Sequence, residues 1–221
     1  GLTESEAGSD AGGIRTTAVK DGDSYIINGT KQWITNGGEA DIYTVFAMTN
    51  PEKGARGASA IVVEKGTPGF EFGKQEDKLG IRASATRELI LTDCKVPEGN
   101  LLGREGMGFL IAMKTFDESR PAVGAQAVGV AQGALEEALE YAKVRKQFGS
   151  SISSFQAVQH MLADMAIQVE AARALVYRTA NVIDSGAKDV SRLSAMSKTF
   201  ASDIAMKVTT DAVQILAGYG F

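Results

Sequence analysis

The first hundred or so residues alternate apolar and polar side chains in short runs, after which the chain changes to helical spacing. Runs in which every second side chain is apolar predict β-strands. They occupy residues Ile14–Lys20, Tyr25–Ile34, Ile42–Met48, Ser59–Glu64 and Glu88–Val96. Clusters of Gly, Pro, Asn and Asp separate these runs and predict tight turns. Several short strands joined by tight turns predict an antiparallel β-sandwich or a barrel-like sheet.

From residue 104 onward, apolar residues recur at intervals of three and four, which is the spacing of one helix face. One such stripe covers residues 158–176 and another covers residues 193–215, while residues 122–142 are rich in Gly and Ala. Long helices joined by short loops predict an antiparallel helical bundle. The sequence therefore predicts an α+β protein of two domains, with a β-domain over residues 1–103 and a helical domain over residues 104–221.

Composition and charge argue against several classes of function but do not identify one. The chain has a formal net charge of −4, so no basic surface indicates nucleic acid or membrane lipid as a partner. No apolar run reaches the length of a membrane span. The single cysteine, Cys94, is predicted to be a packed or surface thiol, and the single histidine, His160, a structural or solvent-facing residue. One residue of each type gives no basis for a disulfide within the chain or for a metal site.

Two segments near the start combine groups that can bind a flat, phosphate-bearing ligand. GLTESEAGSD, residues 1–10, offers unhindered backbone N–H groups and hydroxyls. KQWITNGG, residues 31–38, places the only tryptophan, Trp33, beside the hydroxyl of Thr35. The residues alone leave an alternative open, because TNGG is also a good turn sequence and Trp33 could belong to the core.

Together these segments resemble the flavin-binding signature of the acyl-CoA dehydrogenase family, in the form of its medium- and short-chain members. TPGFEFGKQEDKLGIRASATRELILTDCKVPEGNLLG, residues 67–103, resembles the rest of that family's middle domain. FDESRP, RKQFG and DAVQILAGYGF resemble its C-terminal helical domain. Because five motifs follow one another in order across the whole chain, the resemblance implies FAD as the cofactor and an acyl-CoA thioester as the substrate.

The resemblance implies that the two early segments border the flavin ring. Trp33 would pack over the isoalloxazine, Thr35 would donate a hydrogen bond near its N5 atom, and Ser9 would lie near both cofactor and substrate. The flavin contacts implied in this half of the chain are Leu2, Thr3, Gly8, Ser9, Trp33, Ile34 and Thr35.

FDESRP is implied to contact the substrate. In the family the Asp position lies near the CoA moiety and the Arg position orders the active-site wall, which implicates Asp117 and Arg120. Some members carry their catalytic glutamate at the position of Ser119, and Glu118 would point roughly 100° away around a helix, so the base is not predicted here. Acidic residues in this stretch are also typical of a helix N-terminus, and that alternative stays open.

The last two motifs are implied to reach the FAD of a neighbouring subunit. Arg145 would contact the pyrophosphate, while Gln156 and Gln214 would lie toward the adenosine end. The residues implied are Arg145, Gln147, Phe148, Gln156, Gln214 and Gly218. Gln147 stands where members often carry Thr or Ser, and Ala217 replaces a Gly, so both depart from the family pattern. Without the resemblance, the basic residues here would be typical of a helix C-terminus.

The resemblance implies removal of an α-proton and a β-hydride from a short- or medium-chain acyl-CoA, giving a trans-2-enoyl-CoA. The hydride would pass to flavin N5, and an electron-transferring flavoprotein would accept the electrons. The family's glutamate base follows the GYGF-like stretch, so we expect it beyond Phe221, we expect residues to be missing at both ends, and we expect these residues alone to be inactive. We also expect a homodimer or homotetramer, in the bacterial cytoplasm or the mitochondrial matrix. A non-catalytic dimerisation or binding module, an acyl-CoA oxidase and a flavin monooxygenase remain alternatives.

Overall fold

The computed structural model describes residues 1–187 and 190–221. Inter-residue contacts divide the chain into two compact units, Gly1–Met113 and Lys114–Phe221. Strands occupy the first unit and long helices the second, as the change of periodicity predicts. The domain boundary after residue 103 stays a prediction, since the contact division lies later, inside the first long helix.

Six strands form one sheet in the first unit. They are β1 (Thr17–Asp21), β2 (Ser24–Thr35), β3 (Ile42–Met48), β4 (Ala58–Glu64), β5 (Phe70–Phe72) and β6 (Thr86–Pro97). Their order in the sheet is β4-β3-β1-β2-β6-β5. All neighbours are antiparallel except β1 and β3, which run parallel and meet through Thr17 and Met48. The prediction of an antiparallel sheet is therefore wrong for this one pair.

Hydrophobic alternation locates most of these strands. β3 has the predicted bounds, and β2, β4 and β6 extend beyond theirs by one or two residues. β1 begins later than predicted because the amides of Arg15 and Thr16 donate to the carboxylate of Glu4 instead of to a strand. β5 is not predicted from the sequence, since three residues are too few to display a period.

The sheet curls until strands from its two halves share one core. Tyr43 on β3 packs its ring against Phe70 and Phe72 on β5, with ring centroids 5.2 and 5.4 Å apart. Since β1, β2 and β6 lie between β3 and β5 in the sheet order, this contact requires the barrel-like form that was predicted. Cys94 is fully buried in the same core and is a packed thiol.

Among the described residues of the second unit, three helices account for most of its length. They are α1 (Gly108–Val144), which begins in the first unit, α2 (Gln156–Asp184) and α3 (Ser191–Leu216). Between α1 and α2 lies a small hairpin of β7 (Lys146–Gln147) and β8 (Ser150–Ser151). The helices bury one shared cluster of apolar side chains, and His160 on α2 is exposed. Among residues 1–187 and 190–221, no helix combines the length and apolarity needed to cross a membrane.

α1 passes through Pro121 without ending there. Proline has no backbone N–H, so the carbonyl of Asp117 loses its helical donor. The hydroxyl of the buried Ser194 on α3 donates to that carbonyl instead, which satisfies it and ties α3 to α1. The alternative that FDESRP forms a helix N-terminus is therefore wrong, because α1 begins at Gly108. The helix ends at Val144.

Candidate cofactor site

The loop at residues 1–9 lies directly beside β2. The backbone N–H of Gln32 donates to the carbonyl of Thr3 at 2.9 Å, and the ammonium of Lys31 donates to the carbonyl of Leu2 at 3.1 Å. Glu4 and Ala7 close the loop by exchanging backbone hydrogen bonds of 3.1 and 3.2 Å. The structure thus brings the two early motifs together along one strand.

The residues after this turn present donors to solvent. Gly8 and Ser9 are both exposed, and a Cβ added at Gly8 would meet no atom within 4 Å. Their backbone N–H groups and the Ser9 hydroxyl are therefore accessible to a polar ligand. These are the groups that the sequence analysis assigned to the flavin and the substrate.

Trp33 lies at a bulge in β2. Between Lys31 and Ile34 the pairing with β6 shifts, because three steps along β2 match two along β6. Trp33 has a φ of 61°, which is uncommon for a bulky side chain, and its residue surface is 56% exposed. The alternative that Trp33 belongs to the core is wrong, since the bulge turns the indole outward.

The residues around Trp33 fix this geometry. Ile34 packs against the sheet core, and Thr35 is exposed at the end of β2. The chain then turns, with the N–H of Gly37 donating to the carbonyl of Ile34 at 3.2 Å. A Cβ at Gly37 would lie 2.9 Å from that of Arg87, so the turn packs closely against β6. TNGG is therefore a turn, and that turn follows directly on an exposed indole.

A buried ion pair lies beneath this surface. The Lys31 ammonium is 2.6 Å from a Glu4 carboxylate oxygen, and the Lys31 side chain is completely buried. Burial lowers the pKa of Lys31, although the nearby carboxylate opposes that shift. Burial alone would raise the pKa of Glu4, but hydrogen bonds from Lys31, Thr16 and Arg15 outweigh it, and the pKa lies below its ordinary value. The Glu4 carboxylate thus accepts from three donors, of which the Lys31 ammonium is one.

A second cluster of predicted residues lies at one end of the helical unit. Arg145, Gln147, Phe148, Gln214 and Gly218 all line one cavity of about 620 Å³. Its walls come from the β7–β8 hairpin, the first turns of α2 and the end of α3. Most of the wall is apolar, with guanidinium and amide groups at its polar positions, which is the composition of a cofactor pocket.

A ring contact and two backbone hydrogen bonds hold Arg145 in place. Its guanidinium lies 5.9 Å from the centre of the Tyr219 ring, and Tyr219 packs in turn against Tyr141. Its backbone N–H donates to Tyr141, and its carbonyl accepts from Ile152. The side chain stays exposed, so its donors can form a bidentate contact with a phosphate.

Three predicted residues lie outside both clusters. Gln156 is the exposed first residue of α2 and is not among the residues that line the cavity. Asp117 and Arg120 pair with each other on α1 at 2.7 Å, and the Arg120 guanidinium also lies over the Phe116 ring. The role of Gln156 toward the cofactor and the roles of Asp117 and Arg120 toward the substrate stay predictions.

Positive φ angles recur at the predicted cofactor residues and beside them. Trp33, Phe148 and Ala217 all have φ between 50° and 61°. Ala217 ends α3 with φ 50° and ψ −129°, a conformation that suits glycine. Ala217 thus occupies a position at which a glycine would be unstrained.

Ala217→Gly is expected to raise the free energy of unfolding by about 1 kcal/mol, because glycine adopts this conformation without strain. Chemical denaturation of the protein would measure the change. Ala163→Gly is the matched control, since Ala163 is exposed in the middle of α2 and its replacement should lower stability by about 1 kcal/mol. Equal destabilisation by both changes would contradict the prediction.

The two units, each with one cluster, define a β-domain and a helical domain of the acyl-CoA dehydrogenase type. The acyl-CoA dehydrogenase middle domain matches residues 1–94, and the acyl-CoA dehydrogenase C-terminal domain matches residues 106–221. The chain therefore belongs to the acyl-CoA dehydrogenase family.

Individual relatives support this membership. A probable acyl-CoA dehydrogenase of Mycobacterium leprae is 56% identical, over 100% of this chain and 57% of its own length. The structure of butyryl-CoA dehydrogenase from Megasphaera elsdenii is 54% identical with a TM-score of 0.98, over 100% of this chain and 58% of that one. A chain solved in work on the electron transferring flavoprotein of Acidaminococcus fermentans and flavin-based electron bifurcation is 60% identical with a TM-score of 0.97, at the same coverage. The chain thus spans a little over half the length of these relatives.

Proposed function

We propose that the protein is an FAD-dependent acyl-CoA dehydrogenase that converts a short- or medium-chain acyl-CoA to its trans-2-enoyl-CoA. The observation that carries the proposal is the contact between the loop at residues 1–9 and the part of β2 that contains the bulge at Trp33. It places an exposed indole and exposed hydrogen-bond donors on one short stretch of the β-domain. Family membership over both domains supports the same conclusion.

The residues present fit FAD in both units. The exposed indole of Trp33 offers a ring-sized apolar surface, and Thr35 offers a hydroxyl beside it. Leu2, Thr3, Ile34, Gly8 and Ser9 complete the proposed isoalloxazine contacts. When bound, FAD supplies the acceptor for the hydride removed from the β-carbon.

The helical cavity is proposed to bind the opposite end of an FAD. Arg145 presents a permanent positive charge, which suits a pyrophosphate. Gln147, Gln214 and Gly218 supply amide and backbone groups for the adenosine end, and Phe148 adds an apolar wall. In a homodimer or homotetramer, this FAD would belong to the neighbouring subunit.

An exposed apolar stripe on α1 supports such an oligomer. Phe116, Val123 and Val130 recur every seventh residue, so they lie on nearly the same face of the helix. Each is more than a third exposed. Burying this stripe against a second copy would remove it from water.

The chemistry requires a proton to leave the α-carbon of the thioester. That proton is weakly acidic, so hydrogen-bond donors must stabilise the negative charge on the thioester oxygen. A carboxylate of raised pKa must accept the proton. We place this base beyond Phe221, since Ser119 occupies the helix position that carries the glutamate in some members. Asp117, Arg120 and Ser9 are proposed to orient the CoA ester.

The acyl chain and the electron acceptor are inferred from relatives. Similarity to a butyryl-CoA dehydrogenase supports a short, straight acyl chain. One similar chain was solved in the work on the electron transferring flavoprotein of Acidaminococcus fermentans. This similarity supports an electron-transferring flavoprotein as the partner.

Anaerobic titration with butyryl-CoA tests the function in the protein expressed from its complete gene. We expect a yellow protein whose visible flavin absorption bleaches on addition of butyryl-CoA and recovers with an electron-transferring flavoprotein. Recovery with oxygen alone would identify an oxidase or monooxygenase instead. A colourless protein that takes up no added FAD would contradict the proposal and indicate a non-catalytic binding module.

A further inference from the structure

We propose that the buried Lys31–Glu4 pair is a positioning device for the flavin, which fixes the loop at residues 1–9 and the bulge at Trp33 in one relative geometry. The inference rests on the proposed function, because it assumes that these two segments bind FAD. The Lys31 side chain has no exposed surface and that of Glu4 is only 10% exposed, so both act as positioning residues.

Lys31 joins the loop to the strand at the point where the bulge begins. It is the last residue in regular register with β6, opposite Leu89, before the shift that contains Trp33. Its ammonium donates both to the carbonyl of Leu2 and to the carboxylate of Glu4. One buried side chain of β2 therefore anchors the loop at two points, on either side of Thr3.

Glu4 extends this anchor to a third segment. Its two carboxylate oxygens accept the backbone N–H groups of Arg15 and Thr16, at 2.6 and 3.0 Å. Those amides lie just before β1. The loop is thus attached to two segments, to β2 through Lys31 and to Arg15 and Thr16, just before β1, through Glu4.

A gain in the stability of the fold does not explain why a charged pair is buried here. Burying two charges costs solvation energy, and apolar residues of similar size are often equally stable in such places. What an apolar pair cannot do is hold the Leu2 carbonyl or the amides before β1. These directional bonds determine where the loop lies, and that location matters because small displacements of binding groups strongly weaken their function.

The strained backbone at Trp33 points to the same positioning role. A tryptophan with a φ of 61° persists only where its surroundings hold it there. Two hydrogen bonds from the two preceding residues, Lys31 to Leu2 and Gln32 to Thr3, provide that hold. Losing the Lys31 anchor should therefore free both the loop and the indole.

The double variant Glu4→Gln/Lys31→Met separates positioning from charge burial. It leaves no unpaired buried charge, and the introduced glutamine oxygen can still accept one of the two amides, so the thermal midpoint should fall by only a few degrees. The Leu2 anchor is lost, so we expect FAD to bind at least about 10-fold more weakly. We also expect a shifted flavin absorption band and midpoint potential, which a purely structural pair would leave unchanged.

Hydrogen exchange in the flavin-free protein gives a second, independent readout. The Gln32 N–H donates to Thr3, so peptides that contain it should exchange about 10-fold faster in the double variant. The matched control is Asp21→Asn/Lys95→Met, which neutralises an exposed ion pair on the same sheet and should change neither readout. If the double variant does not fold, Glu4→Asp decides, because it keeps both charges and shortens the anchor by one methylene; an FAD affinity at least about 3-fold weaker is expected.

The outcomes separate this inference from the function on which it rests. A yellow parent whose folded double variant keeps the parental FAD affinity, spectrum and exchange overturns the positioning role alone. The same holds if the fallback variant matches its parent. A parent that binds no FAD counts against the proposed function and, with it, against this inference.

Discussion

Gly29→Ala is expected to lower the free energy of unfolding by about 3 kcal/mol, the largest stability loss that a single methyl group should cause beside the site. Gly29 has a φ of +148°, which side chains rarely adopt, and an added Cβ would lie 2.4 Å from the Thr16 hydroxyl and 2.8 Å from its Cα. Thr16 cannot move aside freely, because its N–H donates to Glu4 and its carbonyl accepts from Met48.

Gly22→Ala is the matched control for Gly29. Gly22 also has a positive φ, of +61°, but an added Cβ would meet no atom within 4 Å. Its replacement should therefore cost about 1 kcal/mol from backbone strain alone. Urea unfolding followed by circular dichroism would compare the two variants. Equal losses would show that the approach of Gly29 to Thr16 is unimportant.

Arg145→Ala is expected to weaken FAD binding about 10- to 100-fold, because a charge-assisted contact with a phosphate is lost. The folded state should be unaffected, since the side chain is exposed and the backbone bonds of Arg145 remain. Fluorescence titration of the flavin-free protein with FAD would measure the change. Arg145→Lys should give an intermediate affinity, because lysine keeps the charge but cannot make a bidentate contact.

Lys143→Ala is the control for this experiment. The change removes the same charge from the same helix end, but Lys143 is exposed and pairs with Glu140. Its loss should change FAD affinity less than about 2-fold at physiological salt. If Arg145→Ala binds FAD as tightly as the parent, the helical cavity is not part of the cofactor site.

Hydrophobic periodicity predicts the parts of this fold that depend on local pattern. The bounds of β3 and the stripes of α2 and α3 follow from alternation and from three–four spacing. The parallel contact between β1 and β3 does not, because strand pairing joins residues that are distant in sequence. The start of α1 was hidden by Pro121, whose effect on the helix depends on Ser194, a residue of another helix far along the chain.

The candidate site was predictable where its residue types are distinctive. Trp33 and the Gly-containing turns indicate a binding surface from their residue types, whereas Arg145 is implicated only by the family resemblance. Glu4 and Lys31 were missed, because charged residues are usually exposed and nothing local shows that these two meet. A lysine in an otherwise alternating strand, at a position where an inward side chain is due, was the one available signal.

The bulge in β2 makes the length of this strand part of the site. Side chains alternate between the two faces of a strand, so deleting one residue between Lys31 and Ile34 would send the indole to the opposite face while leaving the composition nearly unchanged. Grafting this tryptophan onto another sheet would consequently require the extra residue, the lysine and its glutamate to be transplanted together.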